Sequence, residues 1–191
     1  MRKRTHPNPD LLPARRRFLK TAAAACGVLG GFGLAPLVAR AGTARSLSFV
    51  HTHTGEALTV PYRQASCYDA DCLSAVNHLL RDFRNGEVHP IDPGLLDILC
   101  GLKDQSGSDA PFEVISGYRS PRTNSMLRGN SRSSGVAEHS LHIQGQAIDI
   151  RLGGVRTLQL AELARGLGRG GVGYYAASDF VHVDTGRVRH W

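Results

Sequence analysis

Three side chains towards the C-terminal end of this sequence have the types and spacing to share one metal ion: His142, Asp149 and His182. His142 and Asp149 are separated by six residues that include Gly145. That is enough chain for an imidazole on a loop and a carboxylate on a strand to converge. His182 lies in a second piece, Asp179-Phe180-Val181-His182-Val183-Asp184. Two imidazoles and one carboxylate leave a coordination position for water, which is the pattern of a catalytic rather than a structural zinc site. The bland alternative is an Asp149–His182 hydrogen bond with no metal.

The surrounding residues must form elements that bring these groups together. From Gly145 to Leu152 the chain alternates as a strand, with Ile148, Ile150 and Leu152 on one side and Ala147, Asp149 and Arg151 on the other. The small Ala147 leaves room above the sheet beside the carboxylate. By the same period of two, Val181 and Val183 enter the core, whereas Phe180, His182 and Asp184 share the other face, so His182 can meet Asp149 across the sheet. Gly170 to Tyr175 supplies a neighbouring strand. Phe112–Ser116 is a further apolar strand that runs into Gly117-Tyr118-Arg119, and it presents Tyr118 and Arg119 at the sheet margin, where functional groups gather. The polar stretch Gly129–Ser140 is expected as a cleft wall or lid.

Helices are expected from cap and periodicity signals. One starts at Asp69 or Asp71 and runs to about Arg84, and a second starts at Asp92-Pro93 with Leu95, Leu96, Ile98, Leu99 and Leu102 apolar. A short third helix is capped by Ser120 before Pro121, and a fourth spans about Thr157 to Leu167. Ser46–Tyr62 predicts two strands turning at Thr54-Gly55, with His51 and His53 as a solvent-facing pair.

The N-terminal segment stands apart from this domain. Arg15-Arg16-Arg17-Phe18-Leu19-Lys20 precedes a run rich in Ala, Gly and Leu that ends in Ala39-Arg40-Ala41, so residues 1–41 read as a twin-arginine export signal cleaved after Ala41. The domain is then 42–191, periplasmic, with the twin-arginine machinery as the partner of the signal. The whole chain of 191 residues carries a formal charge of +7, but eight of its 23 basic and one of its 16 acidic residues lie in 1–41. The remainder is formally neutral, so nucleic acid is not an expected partner. Cys67, Cys72 and Cys100 lack the spacing of a zinc knuckle and are expected to be structural, with their pairing open. A monomer is expected.

Ser140-x-His142-x-x-Gly145-x-Ala147-x-Asp149 resembles the S-x-H-x-x-G-x-A-x-D motif of the zinc D-alanyl-D-alanine peptidases, in the lysostaphin/D-Ala-D-Ala peptidase/hedgehog superfamily. Ser116–Pro121, Gly170–Tyr175, Phe180–Gly186 and Arg189-His190-Trp191 extend the resemblance, which is strongest to the murein endopeptidases. It implies an α+β domain with a small antiparallel sheet, helices packed on one face and a zinc site on the other. It also implies Zn2+ held by His142, Asp149 and His182, a substrate in the peptide stems and cross-links of peptidoglycan, and hydrolysis of those cross-links by a metal-activated water. The alternatives are a D,D- or L,D-carboxypeptidase on the same scaffold, or a zinc-containing wall-binding module without turnover.

For the remaining site residues the resemblance implies Asp179 as general base, three positions before the last histidine, with Asp184 as the other candidate. Parity by itself sets Asp179 on the opposite face from His182, at the point where the chain enters the strand. Arg119 would hold a substrate carboxylate or the developing oxyanion, with Tyr118 and Ser140 as substrate contacts.

Overall fold

The computed structural model describes residues 45–62, 69–129 and 136–191. The export signal, its cleavage position and Cys67 lie outside them. Among the described residues, no helix is long and apolar enough to cross a membrane.

Strands β1 (Arg45–His51) and β2 (Ala57–Tyr62) form the expected hairpin. Helices α1 (Ala70–Leu79) and α2 (Pro93–Ser106) then lead to β3 (Phe112–Ser116) and the short α3 (Pro121–Gly129). A 3-10 turn at Leu141–Gln144 precedes β4 (Ala147–Leu152), followed by α4 (Thr157–Leu167) and the strands β5 (Gly171–Tyr175), β6 (Phe180–Asp184) and β7 (Arg189–His190).

The sheet is larger than the small antiparallel one expected, and it is mixed. Its seven strands run in the order β2-β1-β3-β4-β6-β5-β7, with β1 parallel to β3 and β5 parallel to β7. Parallel neighbours need a long crossover, and α1 with α2 supplies one between β1 and β3. Alternation identifies a strand but carries no information about which strand lies beside it, so this part of the topology was not readable.

Helix signals that depend on neighbouring residues held. Asp92 accepts from the Gly94 amide at 2.9 Å with Pro93 in the first turn, and Ser120 Oγ accepts from the Thr123 amide at 3.2 Å. The predicted α4 coincides with the observed one. Helix α1 instead stops several residues before Arg84, because the Leu80 carbonyl accepts a hydrogen bond from the Tyr118 amide at 2.7 Å and the Asp82 amide bonds to the Glu87 carbonyl. Those tertiary bonds replace the next helical turn.

The core lies between the sheet and helices α2 and α4. Leu47, Phe49, Phe112, Val114, Ile148, Ile150, Val181 and Val183 meet Leu95, Leu99, Leu102, Leu160 and Ala164 there. His51 continues the stripe of Leu47 and Phe49 and is fully buried, against the expected solvent-facing pair; His53 is exposed. The His51 ring packs edge-on against Phe83 at 5.3 Å between centroids. Cys100 is buried on α2 and Cys72 is half-buried on α1.

Candidate metal centre

The register of β4 and β6 turns the parity expectation into contact. Asp149 pairs directly with His182 and Ala147 with Asp184, while Ile148 and Ile150 pair with Val183 and Val181 on the core side. His142 arrives from the 3-10 turn. That turn ends at Gly145, whose φ is +65° and whose hypothetical Cβ would lie 2.1 Å from the Pro90 carbonyl oxygen. Only glycine fits both the left-handed backbone and that approach, which explains the motif's glycine.

His142, Asp149 and His182 each offer a ligand atom, and these atoms lie within 4.8 Å of one another. The His182 Nδ1 is 2.9 Å from Asp149 Oδ1, and the His142 Nε2 is 3.2 Å from His182 Nδ1 and 3.3 Å from Asp149 Oδ1. All three residues are buried, at 3%, 6% and 8% exposure respectively.

The outward nitrogens of both rings are committed elsewhere. His142 Nδ1 lies 2.7 Å from the Gly117 carbonyl, an acceptor, so it must carry the proton. His182 Nε2 lies 3.0 Å from Asp184 Oδ2, likewise an acceptor. Each ring therefore turns its other nitrogen inward, towards a carboxylate oxygen. Imidazoles whose outer N–H is fixed by a carbonyl or carboxylate are the usual partners of a bound metal. Two imidazole nitrogens and a carboxylate turned towards one point are a donor set that fits a metal ion.

The charges of the three groups act strongly on one another. Burial works against a charged Asp149, but His142 and His182 beside it hold its carboxyl well below the usual carboxylate range. Burial pushes His142 down. His182 is desolvated too, yet its bonds to Asp149 and Asp184 outweigh the burial and raise it to about 9.

Asp184 anchors the assembly rather than facing the cavity. It is fully buried, and its Oδ1 accepts from the Gly171 and Gly186 amides, both at 2.9 Å. Arg189 closes on both of its oxygens at 3.1 and 2.8 Å. Desolvation alone would raise its carboxyl, but these donors and His182 hold it well below the ordinary range. With every direction occupied, it is not placed as a proton acceptor for substrate.

Arg119 is brought to the centre, with Nη2 3.9 Å from Asp149 Oδ2 and Nη1 donating to Asn124 at 3.3 Å. Its amide donates to the His142 carbonyl at 3.1 Å, which joins the end of β3 to the 3-10 turn. Ser140 lines the cavity in front of the cluster together with Arg119, Val136, Ala137, His139, Tyr175, Phe180, Arg189 and Trp191. The described part of the polar stretch is thus a cleft wall.

Two expected site residues are elsewhere. Tyr118 is buried, stacked on His89 at 4.7 Å with its hydroxyl donating to Glu87 at 2.7 Å, and burial followed by that bond pushes its phenol up to about 12. Asp179 is not with the cluster. It lies in a separate depression with Glu113, Arg151 and Thr157, as strand parity indicated and against its expected role as base. Arg189 and Trp191 entered the sequence reading only as part of the resemblance and were given no place in the site, because a two-residue strand gives no periodic signal to orient them.

A sequence model of the family described as peptidoglycan L,D-endopeptidase MepK matches residues 39–191. The peptidoglycan L,D-endopeptidase MepK of Escherichia coli strain K12 is 42% identical over 147 residues, covering 77% of this chain and 80% of its own. The probable peptidoglycan L,D-endopeptidase MepK of Haemophilus influenzae is 43% identical over 148 residues, covering 77% of this chain and 78% of its own.

Proposed function

We propose, from the premise that the chain belongs to the peptidoglycan L,D-endopeptidase MepK family, that it is a zinc peptidase hydrolysing the peptide cross-links of peptidoglycan. The observation that carries the metal part is the inward convergence of His142 Nε2, His182 Nδ1 and the Asp149 carboxylate, with both outward ring nitrogens already bonded. Zinc suits two imidazoles and a carboxylate, and when bound there it supplies a water of lowered pKa and polarises a carbonyl.

The chain's own residues set the rest. Gly117 holds the His142 ring and Asp184 holds the His182 ring, so neither imidazole has to reorganise as a ligand. Arg119 lines the cleft, and one of its terminal guanidinium nitrogens approaches Asp149. It stands to attract a substrate carboxylate, or the oxygen of the scissile carbonyl as charge develops on it. Tyr175, Phe180 and Trp191 give the wall an aromatic surface for the aliphatic parts of a peptide stem. Ser140, which also lines the cleft, can bond to the stem's amides. The relatives' L,D designation comes to this chain as a preference for the bond joining an L-configured to a D-configured centre. The segment 1–41 would export the enzyme by the twin-arginine route to the periplasm, where this polymer lies.

Incubation of the purified enzyme with sacculi, with and without chelator, tests the reading through separation of the muropeptide products. The expected outcome is loss of cross-linked dimers, abolished by chelation and restored by zinc. Release of single D-alanines from monomers, with dimers intact, would instead make the chain a carboxypeptidase. Intact muropeptides with zinc bound would support a wall-binding module.

A further inference from the structure

Asp179 has the one positive φ among the described non-glycine residues, +52°. It caps the 3-10 turn Ala176–Ser178 and opens β6, two positions before Val181. Its carboxylate faces away from the metal ligands: Oδ1 accepts from the Thr157 hydroxyl at 2.5 Å, and Oδ2 lies 3.6 Å from Arg151 Nε. The same guanidinium donates to the Asp179 carbonyl and, at 3.3 Å, to the Ser178 carbonyl, while its remaining nitrogen reaches Glu113 at 3.6 Å. A residue from β4 and the first residue of α4 therefore clasp this turn from outside the cleft.

The turn separates Tyr175 from Phe180, and those two rings stack at 4.6 Å and 17° as part of the cleft wall. Tyr175 in turn accepts the Trp191 indole N–H on its hydroxyl at 3.0 Å. Resting on the endopeptidase reading, we infer that Asp179 is a positioning residue: with Arg151 and Thr157 it locks the left-handed turn that sets the Tyr175–Phe180–Trp191 wall on which substrate lies. It takes no proton from the reacting water.

Asparagine tolerates the left-handed region and keeps an acceptor for Thr157, whereas a β-branched residue does neither. Asp179→Asn is therefore expected to keep kcat/KM within about threefold of the wild type and to leave the pH profile in place, whereas a general base would lose about 10²–10⁴-fold in kcat. Asp179→Val and Arg151→Met are expected to raise KM roughly tenfold with a smaller change in kcat, the signature of lost substrate binding. The double variant should lose no more than the worse single one, since both break one clasp.

Trp191 is the chain's sole tryptophan, so its emission reports the wall without any turnover. A shifted emission in folded Asp179→Val with a wild-type spectrum in Asp179→Asn supports the positioning role, even if muropeptides prove not to be the substrate. A collapse of kcat in zinc-loaded Asp179→Asn, or an unmoved Trp191 spectrum in Asp179→Val, overturns it. Inactivity of the wild type towards every cross-link would instead count against the endopeptidase reading and leave the fluorescence comparison to decide the clasp.

Discussion

A histidine can be held ready for a metal only if something fixes its second nitrogen, and in this chain the most heavily invested group is Asp184. Five donors converge on its two oxygens: two backbone amides, two guanidinium nitrogens and the His182 ring. Replacing it by asparagine turns an N–H₂ towards donors and removes the charge that balances Arg189. We predict that Asp184→Asn weakens zinc by about 10- to 100-fold, the usual cost of losing an outer partner of a ligating histidine, which competition with a chromophoric chelator would measure. Unchanged affinity would mean that His182 is oriented by the sheet alone. At this scale strand parity was a good guide, because His182, Asp184 and Asp149 all sit where a period of two sets them. Parity also set Asp179 off the face of His182, and its carboxylate lies on Thr157 and Arg151. The left-handed turn that carries that residue leaves no mark on the alternation pattern, so its true partners, Arg151 and Thr157, could not be read.

Among the elements, the corner where α1 gives way to the β3–α3 loop determines how Arg119 is presented. Asp82 is fully buried there and accepts from the Ser120 amide at 3.0 Å, from the Ser120 hydroxyl at 2.8 Å and from the Arg84 amide at 3.1 Å. Burial opposes its charge, but bonds from Thr123, Ser120 and Arg84 outweigh it and leave the carboxyl below its ordinary value. A depressed folded pKa means that this group's stabilisation is present above the unfolded value and is lost as pH falls through the folded one. Asp82→Asn is therefore expected to cost about 1–3 kcal/mol at neutral pH. It should also remove part of the acid-side loss of stability, so that urea midpoints of variant and wild type converge as pH falls. Parallel curves down to acid pH would show that Asp82 does not titrate with folding. The contrast with the other helices is physical. Asp92-Pro93 and Ser120-Pro121 act within a few residues of themselves and were legible. The end of α1 depends on Tyr118, far along the chain, and was not.

For the molecule as a whole, the three ligands join segments that backbone pairing and the core already bring together. His142 comes from a turn before β4, Asp149 from β4 and His182 from β6. The mixed sheet, whose strand order the sequence did not reveal, is what brings β4 and β6 side by side while α2 and α4 bury the opposite face. A metal bound to all three ligands is bound by the folded chain far more tightly than by the unfolded one, so its binding free energy adds to stability. At a free zinc concentration near one hundred times the dissociation constant the gain is about 2.7 kcal/mol. For a domain of this size class that corresponds to an upward shift of roughly 5–10 °C in Tm at about 2–4 °C per kcal/mol. Magnesium should give little, since imidazole donors do not suit it. His142→Ala removes one ligand from a turn at the edge of the cleft and should abolish most of the zinc-dependent shift while keeping a cooperative transition. Calorimetry of wild type and variant, each with zinc, with magnesium and with chelator, measures all of this without reference to catalysis. An equal zinc shift in both proteins would move the metal to some other site, and no shift in the wild type at saturating zinc would return the cluster to a hydrogen-bonded trio.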